Sequence, residues 1–177
     1  GLKSLTLFWS TTLGRGFGGG NTIYLRCNNG TDEELVAVFV HEIGHIVDTG
    51  VVVGHAASGK SHFHDRRTVL FQNDASLDFY TISWDAVEKK RGSPLDFVTG
   101  YAQTDPFEDF AESYLFYILH GRQFLQMTKY NSILKRKYFF LKDRIFDGQE
   151  FIYDFSKPKI EDRSFDSTLL PFSLVKF

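Results

Sequence analysis

Residues 38–48 read Val38-Phe39-Val40-His41-Glu42-Ile43-Gly44-His45-Ile46-Val47-Asp48, so that two histidines stand four positions apart and a glutamate follows the first. Residues four positions apart lie on one face of an α-helix. Two imidazoles arranged in this way can bind one zinc ion, and the adjacent carboxylate can reach a water molecule at the metal. Because the pattern arises by chance in this composition with a probability of about 1 percent, it needs a third ligand from elsewhere in the chain.

The residues before this stretch predict where its helix begins. Thr31-Asp32-Glu33-Glu34 fits a capping box, with Thr31 at the N-cap and Glu34 at the third helical position. The helix should end at about Asp48. On a helical wheel, His41, His45 and Asp48 share one arc, and the apolar side chains fill another: Leu35, Val36, Phe39, Ile43, Ile46 and Val47. Two histidines on a largely buried helix need partners, which favours a metal site over two hydrogen-bonded core histidines.

The residues that precede this helix predict a small sheet. An approximate alternation of apolar and polar residues over 2–9 and 21–27 is typical of strands. Five glycines between positions 14 and 20 are interpreted as a flexible hairpin connection, because no helix start or lysine of a phosphate-binding loop follows them. We further hypothesise that the strand over 21–27 forms the sheet edge along which a substrate lies.

A second motif follows the helix and predicts a different chemistry. Residues 54–61, Gly54-His55-Ala56-Ala57-Ser58-Gly59-Lys60-Ser61, match the P-loop pattern GxxxxGK[ST], which is about as improbable by chance as the histidine pattern. A P-loop lies between a buried strand and a helix whose N-terminal amides hold phosphate. Here three valines are the candidate strand, and no apolar helical period follows Ser61. Residues 54–67 are therefore interpreted as an exposed polar loop.

The third ligand is predicted on a second helix. Asp105 suits an N-cap and Pro106 the first helical position, and this helix should continue to about His120. Glu108 and Glu112 share a semi-buried edge of its apolar stripe, where carboxylates need cationic or metal partners, whereas Asp109 points away. Glu108 as the third zinc ligand and Glu112 as a group that orients another ligand meet that need. The alternative is that both carboxylates pair with arginines at the helix margin.

The remainder of the chain predicts further helices. Residues 122–148 should form helix with an interruption near Asn131, and a strand could follow over 151–155. The cations Lys135, Arg136, Lys137 and Lys142 are interpreted as a solvated face. Residues 68–71 could form a short strand, and residues 77–84 are aromatic and should be buried. The polar turn over 89–94 should divide the chain into an N-terminal lobe of about 1–90 and a C-terminal lobe of about 91–177.

Length and composition suit one domain with an aromatic core. The chain has 177 residues, 42% hydrophobic content and 19 phenylalanines. A net charge of -2 suggests neither nucleic acid nor an anionic membrane as a partner, and no apolar run has the length of a membrane span. The start shows no signal-peptide pattern. The single cysteine, Cys27, excludes an intrachain disulfide and a CxxC metal site.

Taken together, these motifs resemble a known family. Residues 41–48, then Tyr101, then Glu108-Asp109-Phe110-Ala111-Glu112 are similar to the gluzincin metallopeptidases of the anthrax lethal factor type, which include secreted bacterial endopeptidases. The resemblance covers roughly residues 31–120. A metzincin is disfavoured, because Asp48 stands where that family has glycine and no third histidine follows at the required position.

The resemblance implies a zincin-like α+β fold, with a small N-terminal sheet, an active-site helix and a mainly helical C-terminal lobe. It also implies a zinc endopeptidase that is secreted or held at the cell envelope and acts as a monomer on peptides or proteins. His41, His45 and Glu108 would hold zinc, Glu42 would be the general base and Tyr101 would polarise the scissile carbonyl. Asp48 and Glu112 would support the ligands from outside. Two rival functions stay open: a P-loop nucleotide hydrolase that uses residues 54–61, and a non-catalytic binding module stabilised by zinc.

Overall fold

The N-terminal sheet packs against the first long helix. The computed structural model describes residues 2–8, 14–19, 22–28, 31–66, 68–152 and 166–172. These residues form a mixed α+β structure in which five α-helices accompany three small sheets, as the sequence predicts at this level.

Strands β1 (Ser4–Phe8), β2 (Gly16–Gly19) and β3 (Thr22–Arg26) form the largest sheet in the order β1-β3-β2. β1 runs parallel to β3, and β2 runs antiparallel to it. The hypothesis that residues 21–27 form a sheet edge is therefore wrong, since β3 is central and β2 is an edge of the described sheet. Residues 16–19 are a strand instead of a connection, because strand pairing uses backbone groups and needs no side chain.

Helix α1 (Asp32–Gly50) begins as predicted, with the Thr31 hydroxyl oxygen accepting a hydrogen bond from the Glu34 amide at 3.1 Å. Ile23 and Leu25 of β3 pack on α1 through Val38 and Ile46. The burial of α1 differs from the prediction. Most of the apolar arc is only half-buried, whereas the side that carries His41, Gly44 and Asp48 is buried, because a second long helix packs against it.

Residues 54–66 are mostly exposed, as predicted, but they form regular structure instead of a loop. A 3-10 turn at Ala56–Ser58 leads into a hairpin of β4 (Lys60–Asp65) and β5 (Thr68–Phe71). The prediction of a short strand over 68–71 is thereby confirmed. Lys60 and Ser61 begin a strand, whereas the corresponding residues of a P-loop begin a helix that holds phosphate. The local geometry of this segment therefore differs from that of a P-loop.

The C-terminal part is mainly helical. It contains α2 (Ser76–Ser83), a small hairpin of β6 (Trp84–Ala86) and β7 (Lys89–Lys90), α3 (Pro106–Leu119), α4 (Gly121–Met127), α5 (Ser132–Phe140) and a π-helical turn (Leu141–Ile145). The start of α3 is confirmed, since Asp105 Oδ1 accepts hydrogen bonds from the amides of Phe107 and Glu108, each at 2.9 Å. The interruption near Asn131 is confirmed too, because Asn131 caps α5. None of the described helices is both long and apolar enough to cross a membrane.

The predicted strand over 151–155 is not present in the part of it that the structure describes. Phe151 and Ile152 are not in a strand, and the rest of the predicted strand, residues 153–155, lies outside the described residues. Of the final stretch, residues 166–172 are described. They contain a 3-10 turn, Ser167–Leu169, and Phe172 packs against Ala37 of α1 and Leu115 of α3.

The largest cluster of buried side chains is aromatic and joins α2, α3 and α5. Phe79 and Phe110 meet edge to face at a centroid distance of 5.2 Å, and Phe79 and Phe140 at 5.5 Å. The cluster includes residues on both sides of the predicted lobe boundary near residue 90. Residues 77–84, which the sequence predicts to be buried, supply Phe79, Tyr80 and Trp84 to it.

An ion pair lies inside this core and corrects two predictions. Lys137, predicted on a solvated face, and Asp109, predicted to point away from the buried edge, are both 0% exposed. The Lys137 ammonium lies 2.7 Å from Asp109 Oδ2 and donates to the Asp96 carbonyl at 3.0 Å. The Trp84 indole N–H donates to Asp109 at 3.0 Å. The two opposite charges can be buried because the attraction between them offsets the cost of removing each from water.

Candidate metal centre

Helices α1 and α3 approach each other at a point where both carry small residues. A Cβ added to Gly44 would lie 2.9 Å from the Ala111 Cα, so a larger residue at position 44 would hold the helices further apart. His41 and His45 lie one turn apart on α1, and Glu108 lies in the first turn of α3. The fold brings together the three residues that the sequence predicts as metal ligands.

Two of the three separations between the candidate ligand atoms suit a zinc ion. One ligand atom from each of these residues lies within 4.8 Å of the others. Glu108 Oε2 is 3.2 Å from His41 Nε2 and 3.5 Å from His45 Nε2. Tetrahedral ligands with bonds of about 2.1 Å to zinc are separated by about 3.4 Å, which matches both distances. Two imidazoles and one carboxylate are also a common donor set for a zinc site that keeps one position open.

The site surrounds its imidazoles with negative charge. Burial by itself would lower the pKa of His41, but hydrogen bonds to Glu108 and Glu112, together with the charges of these carboxylates, raise this pKa to about 10. Burial would raise the pKa of Glu108, yet the hydrogen bonds and charges of His41 and His45 hold it well below its usual range. The metal-free site therefore retains a proton on His41. A cation held by the three ligands would supply the same charge balance.

Glu112 is fully buried one turn after Glu108 and connects His41 to the protein around it. Its Oε1 lies 3.0 Å from His41 Nδ1. Its Oε2 accepts hydrogen bonds from the Thr99 hydroxyl at 2.6 Å and the Ser167 amide at 2.8 Å. With the Nδ1 proton directed at Glu112, a His41 ring that binds a metal would be neutral and would use its Nε2 lone pair as the ligand. Glu112 thus contacts one of the three candidate ligands.

Glu42 and Tyr101 line the same cleft as the three ligands. The Glu42 side chain lies against β2, since a Cβ added to Gly16 would be 3.0 Å from Glu42 Oε1. The Tyr101 ring lies 6.1 Å from the His41 ring between centroids. Burial, together with the charge and a hydrogen bond of Glu108, raises the pKa of Tyr101 above its ordinary value. Its hydroxyl therefore keeps its proton and can act as a hydrogen-bond donor.

The cleft has a volume of about 730 Å³ and runs between two different walls. Gly16 and Phe17 of β2 line one side, and the turn of the β4–β5 hairpin contributes His64, Asp65 and Arg66. A smaller cavity of about 280 Å³ adjoins Glu42 and Tyr101 and is bordered by Arg15, Asp166 and Thr168. The ligand cluster thus lies in a cleft whose volume is within the range of small-molecule binding sites.

Asp48, predicted to support the ligands from outside, is buried near the end of α1. In the part of the chain that the structure describes, its carboxylate makes no hydrogen bond to His41 or His45 and instead accepts one from the Tyr80 hydroxyl at 2.6 Å. Burial raises the pKa of Asp48 to about 7. Asp48 therefore connects the end of α1 to α2.

Three groups that support the site carry no signal in the sequence motifs: the Thr99 hydroxyl, the Ser167 amide and the Arg15 guanidinium. Ser167 acts through its backbone, which leaves no trace in the identity of its side chain. Arg15 lies in the glycine-rich segment and reaches Asp166, 151 positions away. A contact over such a separation follows from tertiary structure alone.

No protein-family model matches this chain, and no curated protein or solved structure matches it.

Proposed function

We propose that this protein is a zinc-dependent endopeptidase with a zincin-like architecture, in which His41, His45 and Glu108 hold the metal. The convergence of these three ligand atoms on one point, within a cleft that Glu42 and Tyr101 also line, is the observation that carries the proposal. A structural zinc site is usually closed by four protein ligands, whereas a catalytic site has three and an open position.

Each polar group of the cleft has a role in this proposal. Zinc in the site would act as a Lewis acid and lower the pKa of a water molecule in its open position to about 7. The Glu42 carboxylate accepts a proton from the attacking water and transfers it to the leaving amine. The Tyr101 hydroxyl donates a hydrogen bond to the oxyanion that develops on the scissile carbonyl. Glu112 holds His41 in the tautomer whose Nε2 can bind the metal.

An extended peptide suits the shape of the cleft. β2 borders the cleft and is an edge of its sheet among the described strands, so its outer backbone groups are positioned to pair with another extended chain. Peptide binding by strand addition supplies affinity through backbone hydrogen bonds and leaves selectivity to the side chains of the cleft walls. In this proposal β2, and not residues 21–27, is the strand along which the substrate lies.

Replacement of Glu42 by glutamine tests the proposal, with Glu33→Gln as its matched control. Both substitutions neutralise one carboxylate on α1, but Glu33 is exposed in the first turn and does not line the cleft. Wild type and both variants should bind about one zinc ion per chain. Cleavage of a mixed peptide library should be lost in Glu42→Gln and retained in Glu33→Gln. Undiminished cleavage by Glu42→Gln would remove Glu42 from the mechanism.

The zinc and cleavage measurements, together with a nucleotide-binding assay, separate the rival functions. A non-catalytic zinc module would bind stoichiometric zinc and cleave no peptide in any form. A nucleotide hydrolase that uses Lys60 would bind nucleotide without zinc and lose that binding in Lys60→Ala.

A further inference from the structure

Residues 166–168 reach the ligand-supporting carboxylate from outside the two helices that carry the motifs. The Ser167 amide donates a hydrogen bond to Glu112 Oε2 at 2.8 Å. Asp166, Ser167 and Thr168 are all buried, with Ser167 0% exposed. The segment Asp166–Thr168 is therefore packed into the protein beside the metal ligands.

Arg15 attaches this segment to the other side of the cleft. Its guanidinium donates to the Thr168 hydroxyl at 2.6 Å, to Glu34 of α1 at 3.1 Å and to the Asp166 carboxylate. Burial would lower the pKa of Arg15, but the charge of Asp166 and the hydrogen bonds of both carboxylates raise it, so the cation is firmly held. Arg15 directly precedes β2, the strand that borders the cleft. One cation thus joins α1, β2 and the segment Asp166–Thr168.

We propose that the segment Asp166–Thr168, held by Arg15, is a positioning element of the metal site that fixes the Glu112 carboxylate and through it the ring of His41. This inference rests on the proposed zinc site. Glu112 receives its three hydrogen bonds from three separate parts of the chain: His41 on α1, Thr99 before α3, and Ser167. With both atoms of the carboxylate engaged, its plane is set, and the direction of His41 Nε2 is set with it.

Loss of one donor should act on metal affinity more than on folding. Without the Ser167 N–H, Oε2 retains the Thr99 hydroxyl alone, so the carboxylate can rotate about its bond to the side chain and His41 loses its fixed direction. Groups that orient metal ligands contribute about 10- to 100-fold to metal affinity. A segment that merely fills space would change the melting temperature and leave the zinc affinity of the folded protein unchanged.

Ser167→Pro removes this donor at a position where the backbone accepts proline. Ser167 is the first residue of a 3-10 turn, and Asp166 before it is extended, with φ -145° and ψ 130°. Ser167→Ala is the matched control, since it keeps the N–H and removes a hydroxyl that has no hydrogen-bond partner among the described residues. Zinc affinity is measured by competition with a chromophoric chelator at a temperature where circular dichroism shows both variants to be folded.

We expect Ser167→Pro to bind zinc at least about tenfold more weakly than Ser167→Ala. A second pair covers the case in which the proline variant does not fold. Arg15→Met removes the anchor of the segment, and Arg144→Met removes an arginine from an exposed ion pair with Asp78 as its control. Arg15→Met should bind zinc about three- to tenfold more weakly than Arg144→Met.

A third pair of variants tests the other hydrogen bond to Glu112 Oε2, which comes from the Thr99 hydroxyl. Thr99→Val removes the hydroxyl that donates to Glu112, and Thr99→Ser retains it, so the serine variant should restore the zinc affinity that the valine variant loses. Equal zinc affinity within each pair of folded variants would overturn the positioning role and leave the zinc site intact. A wild type that binds no zinc would instead overturn the proposed function itself.

Discussion

Replacing Lys137 with methionine removes the cation of a fully buried ion pair and leaves a side chain of similar length. In the wild type the ammonium lies 2.7 Å from Asp109 Oδ2, 3.0 Å from the Asp96 carbonyl oxygen that accepts from it, and 4.0 Å from the centre of the Phe97 ring. After the substitution Asp109 keeps the Trp84 N–H but has no cation beside it. A buried ion pair that loses one partner costs about 3–5 kcal/mol of unfolding free energy.

The double variant Lys137→Met with Asp109→Asn identifies the cause. Asparagine carries no charge and still accepts the Trp84 hydrogen bond, so the double variant should be more stable than Lys137→Met alone. In the single variant, burial without the cation raises the pKa of Asp109 further, since burial already raises it in the wild type. A carboxyl whose folded pKa lies above its unfolded pKa stabilises the fold at low pH, so the stability of Lys137→Met should decrease as the pH rises through the folded pKa.

Urea denaturation followed by circular dichroism and by tryptophan fluorescence measures these free energies. A loss below about 1 kcal/mol in Lys137→Met would show that the charge pair is accessible to solvent and would refute this reasoning. A double variant no more stable than the single variant would refute it as well, because the loss would then come from packing rather than from the uncompensated charge.

Three further predictions concern the helices and the cleft. Gly44→Ala places a Cβ 2.9 Å from the Ala111 Cα, so zinc affinity should fall as α1 and α3 separate, and an unchanged affinity measured by chelator competition would count against the close crossing. Tyr101→Phe should lower kcat by about 100-fold at nearly constant KM, which steady-state peptide cleavage measures. Burial lowers the pKa of His120 to about 4, so its neutral form stabilises the fold above pH 6.5 and this stability is lost as the pH falls from 6.5 to 4. In urea denaturation of the metal-free proteins, the free energy of unfolding should fall less between pH 7.5 and 5 for His120→Leu than for the wild type.

Local sequence signals account for much of the candidate site. Thr31 and Asp105 are N-caps whose hydrogen bonds depend on residues within three positions, so the starts of α1 and α3 are readable from sequence. The four-residue spacing of His41 and His45 fixes their common face in the same way. Because Glu108 lies in the first turn of α3, its register follows from the Asp105 cap.

The errors arise where distant residues decide the structure. Lys137 stands beside two other cations, which is typical of a solvated face, but Asp109 lies 28 positions earlier and draws it into the core. The glycines at 16–19 lack the side chains by which strands are recognised, and their pairing with β3 involves only backbone groups. The Ser167 amide has no side-chain signature at all. These contacts require tertiary structure for their prediction.

The zinc site itself is the central claim, and anomalous diffraction at the zinc edge tests it most directly. Crystals of wild type grown with one equivalent of zinc should show one strong anomalous peak between His41 Nε2, His45 Nε2 and Glu108 Oε2, at about 2.0–2.2 Å from each. Crystals of Glu108→Ala under the same conditions should show a weaker peak or none. A wild-type peak at other residues, or no peak at full zinc loading, would contradict the account.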